Sequence, residues 1–249
     1  MLNGAAFGLS DAGLNLPEAE LAAQKAVGIL SDRSAAVRIE TVNNDDLALM
    51  PQLAAAWDTL GWIYFKQHQL SEAEDYVQSA WLLGNHDEVG LHLGQIYEAE
   101  GKNGAAVVTY RMAASQISSL HAWPYYAQMK TDLLARAAAL QPDANPVVLD
   151  TSAGVALRNY TIANLVNGSA GTAEFVLRMT GNKADEVRFV RGDASLKAAD
   201  KALKKVAYNA SVPKISRARM IRLATVSCVP GAATCSLHLK GIFGARMER

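Results

Sequence analysis

The sequence predicts two fold classes in one chain, an all-α half of antiparallel helical hairpins followed by a small α+β domain in the order β-β-α-β-β. Three observations predict it. Small and apolar residues recur at an offset of 33 residues in the first half. From Thr172 the apolar period switches to two. The charge also changes sign: Met1 to Tyr110 holds 15 acidic and 5 basic residues, whereas Asn182 to Arg222 holds 11 basic and 4 acidic ones.

The chain has 249 residues, half of them apolar and 19% charged. That is enough to bury a full core and too apolar for a largely disordered chain. No apolar run approaches the roughly 20 residues that cross a bilayer, so no membrane span is expected. The net charge of zero hides the asymmetry between the halves, which suggests two modules with different surfaces.

Shifting the chain by 33 residues superposes Leu60 on Leu93, Gly61 on Gly94, Tyr64 on Tyr97, Ala73 on Ala106 and Ala80 on Ala113, with Val77 on Tyr110. The clearest units span 54–84 and 87–117. Gly61, Ala73, Gly94 and Ala106 are expected where two helices approach closely, and Tyr64, Tyr97 and Tyr110 where wider gaps between hairpins need filling. Each hairpin then exposes an apolar face that only its neighbour covers.

Residues Asn3–Leu30 read as a weaker earlier hairpin through Ala19-x3-Ala23-x2-Ala26, with Pro17 in a first helical turn. Ser31–Asp45 reads as a polar insertion. Asp46–Gln69 reads as one long helix with a kink near Pro51, and Pro124–Leu140 as a closing helix. Gln141–Pro146 is turn-rich and marks the boundary. The plan is therefore a helical domain over 1–140, a linker over 141–171 and an α+β domain over 172–249.

Trp57-x2-Leu60-Gly61-x2-Tyr64 followed by Ala73-x3-Val77-x2-Ala80 resembles the tetratricopeptide (TPR) signature. The second unit keeps Leu93-Gly94-x2-Tyr97 and Ala106-x3-Tyr110-x2-Ala113, with Gly90 in place of the first aromatic. Asn85 and Ser118 stand where the family often has proline, and His68 stands in a turn where a small residue is usual. The resemblance implies a protein-binding groove lined by the first helix of each hairpin. It assigns Asp58, Trp62, Phe65 and Lys66 to that groove from one unit, and Leu91, Gln95 and Glu98 from the next. Such a mixed apolar and acidic wall favours an apolar or basic segment of a protein or peptide partner. Trp62 is either an exposed anchor of that interface or, with Phe65, a covered residue.

In the second half, Ala173, Phe175, Leu177 and Met179 share one strand face, and Thr180-Gly181-Asn182-Lys183 turns the chain into a strand over Glu186–Arg191. A helix is expected over Ala194–Ala207, then strands over Met220–Cys228 and Thr234–Ile242. Glu186 to Lys205 loosely resembles the TonB C-terminal domain. With the repeats before it, the segment also looks like the C-terminal end of exported bacterial proteins that carry a transglutaminase-like domain. That implies a periplasmic or secreted location and an upstream portion, although Met1 opens no export signal. A cytoplasmic protein is the alternative.

Cys228 and Cys235 flank the last turn and can meet as a disulfide, which implies an oxidising compartment. Two free buried thiols are the alternative, and Cys228, Cys235 and His238 supply only three of the four ligands of a structural zinc site. His68, His86, His92 and His121 are scattered singly. No phosphate loop or nucleophile elbow occurs, and Asp45-Asp46 and Glu72/Asp75 suit helix starts. No metal, no cofactor and no catalytic residue are expected. Two other functions compete with protein binding. One is an accessory C-terminal region of a longer exported enzyme. The other is nucleic-acid binding through the basic Lys183–Arg222 segment, which lacks a reader motif and stands against an acidic first half.

Overall fold

A computed structural model describes residues 2–117, 123–141, 157–163 and 170–247. Most of the expected linker, Ser118 and His121 lie outside the described residues. The chain forms two compact units: Met1–Val27 with Ala54–Val155, and Gly28–Leu53 with Ala156–Arg249.

The first unit is helical. It contains α1 (Leu2–Asp11), the first part of α2 (Leu16–Ala35), most of α4 (Leu49–Lys66), α5 (Leu70–Gly84), α6 (Asp87–Ala99), α7 (Asn103–Gln116) and α8 (Pro124–Leu140). Neighbouring helices α5 to α8 pack in sequence order. A Cβ on Gly90 would stand 2.6 Å from that of Ala113, and one on Gly94 would collide with the Tyr110 ring. Four residues further along α6 the contact has moved three residues back along α7, so the two helices run antiparallel. Gly61 in α4 meets α5 in the same way, its Cβ position 2.5 Å from Val77 Cγ2 and 3.0 Å from Tyr76 Cβ. The glycines stand where a side chain has no room.

The turns repeat as well. His68 (φ 63°) and Gly101 (φ 72°), one offset apart, both adopt the left-handed conformation. The following N–H groups close the helices identically, Gln69 to the Tyr64 carbonyl at 2.9 Å and Lys102 to the Tyr97 carbonyl at 2.8 Å. Gly13 (φ 66°) ends α1 likewise, with Leu14 N–H bonded to the Leu9 carbonyl at 2.9 Å. A glycine meets the left-handed turn without strain, whereas at His68 the closure holds a side chain there.

The expected long helix from Asp46 is divided. A short α3 (Asn44–Leu47) precedes α4, with the break at Ala48. Pro51 lies in the first turn of α4, where its missing N–H would have no partner anyway, so the chain stops before it instead of kinking at it. Asn43 caps α3: its Oδ1 accepts from the N–H groups of Asp45 (2.7 Å) and Asp46 (3.2 Å), while Asp46 Oδ2 accepts from the Asn43 N–H (2.9 Å).

The second unit is an antiparallel sheet of β1 (Asn159–Ala163), β2 (Gly171–Thr180), β3 (Lys183–Gly192), β4 (Met220–Cys228) and β5 (Thr234–Leu239), in the spatial order β1-β5-β4-β2-β3. Ala173, Phe175, Leu177 and Met179 of β2 are buried on one face, as their alternation predicts. Strand β1 falls in the stretch read as linker. It has five residues and buries only Ile162, too little to show an alternation, and its pairing comes from β5. The expected helix over Ala194–Ala207 is a 3-10 helix (Ala194–Ala199) and one α turn, α9 (Asp200–Leu203). Strand β5 ends at Leu239, before the expected Ile242.

Gly28–Leu53 belongs to this unit through backbone and side-chain bonds. Arg188 donates to the Val42 carbonyl (3.1 Å), Ser34 Oγ accepts from the Arg219 N–H (3.2 Å), and Asn44 Oδ1 accepts from the Met247 N–H (2.8 Å). The polar stretch read as an insertion is thus part of the sheet unit's fabric.

Candidate partner-binding site

The groove residues assigned from the sequence lie on α4 and α6. His92 and Asp58 are joined: His92 Nδ1 lies 2.9 and 3.1 Å from the two Asp58 carboxylate oxygens, and both residues are buried. The His92 ring stacks on Trp62 (centroids 4.1 Å apart, planes 16° apart), and Trp62 stacks in turn on Phe65 (4.9 Å, 18°). The Lys66 ammonium stands 4.7 Å from the Trp62 ring centroid. One continuous column therefore runs from Asp58 through His92 and Trp62 to Phe65.

The reading of Trp62 as an exposed anchor does not match this arrangement. Trp62 is 5% exposed and is an interior member of the stack. Among the described residues its indole N–H has no hydrogen-bond partner. Phe65, Leu91, Gln95 and Glu98 are half-buried, Lys66 is exposed, and Glu98 is held by Arg136 of α8 at 3.4 Å. The accessible wall is therefore Phe65, Lys66, Leu91, Gln95 and Glu98, with Trp62 and Asp58 behind it.

Burial alone would depress the His92 pKa. The charge of Asp58, its hydrogen bond and the nearby Glu88 outweigh burial and raise it. Glu88 moves up chiefly because burial disfavours its charge. His86 is raised by its bond to Asp87, 3.0 Å away. The carboxylates of Asp58 and Glu88 thus act to raise both histidines.

The sequence showed His92 only as one of several singly scattered histidines, and its pairing with Asp58 was missed. A faint signal existed: the two positions are one repeat plus one residue apart, on first helices of adjacent hairpins. Two further bonds of this kind were missed. Tyr64 Oη accepts from Gln24 Nε2 at 3.3 Å, and Tyr97 Oη accepts from Gln78 Nε2 at 3.0 Å. Tyr64 and Tyr97, at equivalent places in the two first helices, thus each receive an amide from an earlier helix.

In the sheet unit, Cys228 and Cys235 are disulfide-bonded across the β4–β5 register with Cα atoms 4.4 Å apart. Neither is a thiolate, so with His238 they form no zinc site. Among the described residues no group of three or more His, Cys, Asp or Glu could hold a metal ion. The basic Lys183–Arg222 segment does not form one stripe. Arg191 pairs with Glu174 at 2.6 Å, Arg188 donates to Val42, and Arg222 is buried, where burial and Arg158 bring its pKa down to about 10. No helix among the described residues is long and apolar enough to cross a membrane.

No protein-family model, curated protein or solved structure matches the chain.

Proposed function

We propose that this chain is a non-catalytic interaction module whose TPR-like helical unit holds an apolar or basic segment of another protein. The observation that carries the reading is the recurrence of one geometry at the repeat offset. The same closing bond ends helices at Gln69 and Lys102, and glycines at Gly61 and Gly94 bring paired helices into contact. Stacked hairpins of this kind leave a continuous wall of first-helix side chains. Here that wall offers Phe65 and Leu91 as apolar contacts and Gln95 and Glu98 as polar ones. Its rigid backing is the Asp58–His92–Trp62 column, which leaves little side-chain freedom to lose on binding.

The alternative, an accessory C-terminal region of a longer exported enzyme, is favoured by the disulfide, which persists in oxidising compartments. The succession of β2, β3, the short helix, β4 and β5 also suits a TonB C-terminal-like domain, to which β1 is an addition. Under either reading the proposed location is periplasmic or secreted.

The test is affinity capture from cells of the source organism with the parent chain and with Phe65→Ser/Leu91→Glu. Trp62→Ala is a poor probe, because Trp62 is buried in the stack. A partner retained by the parent and lost by the variant, with an unchanged unfolding midpoint, is expected. An identical captured set from both proteins sinks the groove reading.

A further inference from the structure

We propose that the outer edge of β1 is a docking site for an extended acidic peptide, which joins the sheet as an added strand and sets its carboxylates against Lys201 and Lys205. This surface lies within the sheet unit and is separate from the α4–α6 wall.

A groove of about 730 Å³ runs between β1 and the short helical segment. Every residue from Tyr160 to Ala163 lines it. Successive strand residues point to opposite faces. A cavity touched by four in a row therefore follows the strand's backbone edge and not one of its faces. β1 is the terminal strand of the sheet, and among the described residues no backbone hydrogen bond reaches its outer side.

The phase of the hydrogen bonds identifies which groups face outward. A Cα separation of 4.4 Å marks Cys228 and Cys235 as a non-hydrogen-bonded pair of the β4–β5 ladder. By alternation Val226 and Leu237 are another, so Cys235, Leu237 and Leu239 turn their peptide groups toward β1. The Leu239 N–H accordingly bonds to the Arg158 carbonyl at 2.8 Å. Their partners Ile162 and Tyr160 are thereby committed to β5. Thr161 directs its N–H and C=O away from the sheet into the groove.

The opposite wall gives the charge preference. Lys201 and Lys205, one helical turn apart, are exposed, line the groove and form no salt bridge among the described residues. Ala198 and Ala202 lie beside them on the same wall. Among the described residues no carboxylate lines the groove. An edge strand supplies the main-chain bonds and the two ammonium groups select the side chains, the division of labour by which strand addition achieves affinity and specificity.

The probe is a fluorescently labelled peptide of about eight residues alternating valine and glutamate, with an alternating valine–lysine peptide as its counterpart, titrated against the full chain by anisotropy. Saturable binding of the glutamate peptide alone is expected. Thr161→Pro removes the outward N–H without touching the bonds to β5, and proline is tolerated at such an edge position. It should weaken binding about tenfold or more, while Thr161→Val binds like the parent. Lys201→Glu/Lys205→Glu should lower affinity for the glutamate peptide about tenfold and transfer preference to the lysine peptide. Circular dichroism checks folding; should the proline variant fail to fold, the charge-reversal pair decides. The proposal is overturned by no saturable binding to the parent, by equal binding of both peptides, or by parental affinity in the charge-reversed chain. Self-association of the parent that Thr161→Pro abolishes would assign the edge to a second copy and equally overturn it.

Discussion

The two units are held together over different distances along the chain. In the helical unit, the main backbone packing joins elements adjacent in sequence: α5 to α6, α6 to α7 and α7 to α8. In the sheet unit, Tyr160 pairs with Leu237, and Val37 and Val42 receive Arg178 and Arg188. The difference teaches that a repeat writes its tertiary contacts into a local spacing, whereas a sheet assembled from remote segments does not. Local contacts also close loops at small entropic cost, so the helical unit is expected to form faster.

All four tryptophans (Trp57, Trp62, Trp81 and Trp123) belong to the helical unit, so their fluorescence follows that unit alone. The strongest way to break the comparison is Gly94→Val, which puts a branched side chain where the Tyr110 ring lies. Overpacking of this kind should cost about 3 kcal/mol in urea unfolding followed by tryptophan fluorescence. A loss below about 1 kcal/mol would mean the helices part easily and the repeat contact is not tight.

The sheet unit should respond to a different lesion. Replacing both cysteines (Cys228→Ala/Cys235→Ala) opens a crosslink of sequence separation 7 and should cost roughly 2 kcal/mol. Hydrogen exchange of the β4–β5 amides should quicken while the tryptophan-detected transition stays where it was. A shift of that transition by a similar amount would show that the units unfold as one.

The smallest effect is a pH dependence confined to the helical unit. His92 has a raised folded pKa, so its protonated form is favoured in the native state. Its contribution is complete below the unfolded value near 6.5 and is lost as pH rises through the raised folded value. The tryptophan-detected stability should fall as pH rises above about 6.5 in the parent, and fall less in His92→Gln. His86 titrates with the same sign, so the difference between the two proteins isolates His92. Parallel curves would show that the Asp58 pair contributes nothing to stability.

Particular residues mark the limit of reading by spacing. Gly61, Gly94 and the β2 alternation were legible because their partners or faces are set by a period within a short window. Trp62 was ambiguous, since its type suits both an interface and a core, and only the positions of His92, Phe65 and Lys66 place it inside a stack. The Asp58–His92 bond was hidden because it departs by one residue from the offset. Residues 31–45 looked like a polar insertion because polarity records that a backbone needs partners and does not name them.

By itself the sequence determined the helical pairs, the strand alternation and the opposite charge of the halves, all of which follow from side-chain size and polarity at fixed intervals. Only the tertiary structure decided that β1 completes the sheet beside β5, that Gly28–Leu53 bonds to the sheet unit, and that Asp58 and His92 form a buried pair. The physical reason is that hydrogen-bond partners and burial depend on what folds back from elsewhere in the chain, and no local period encodes that return.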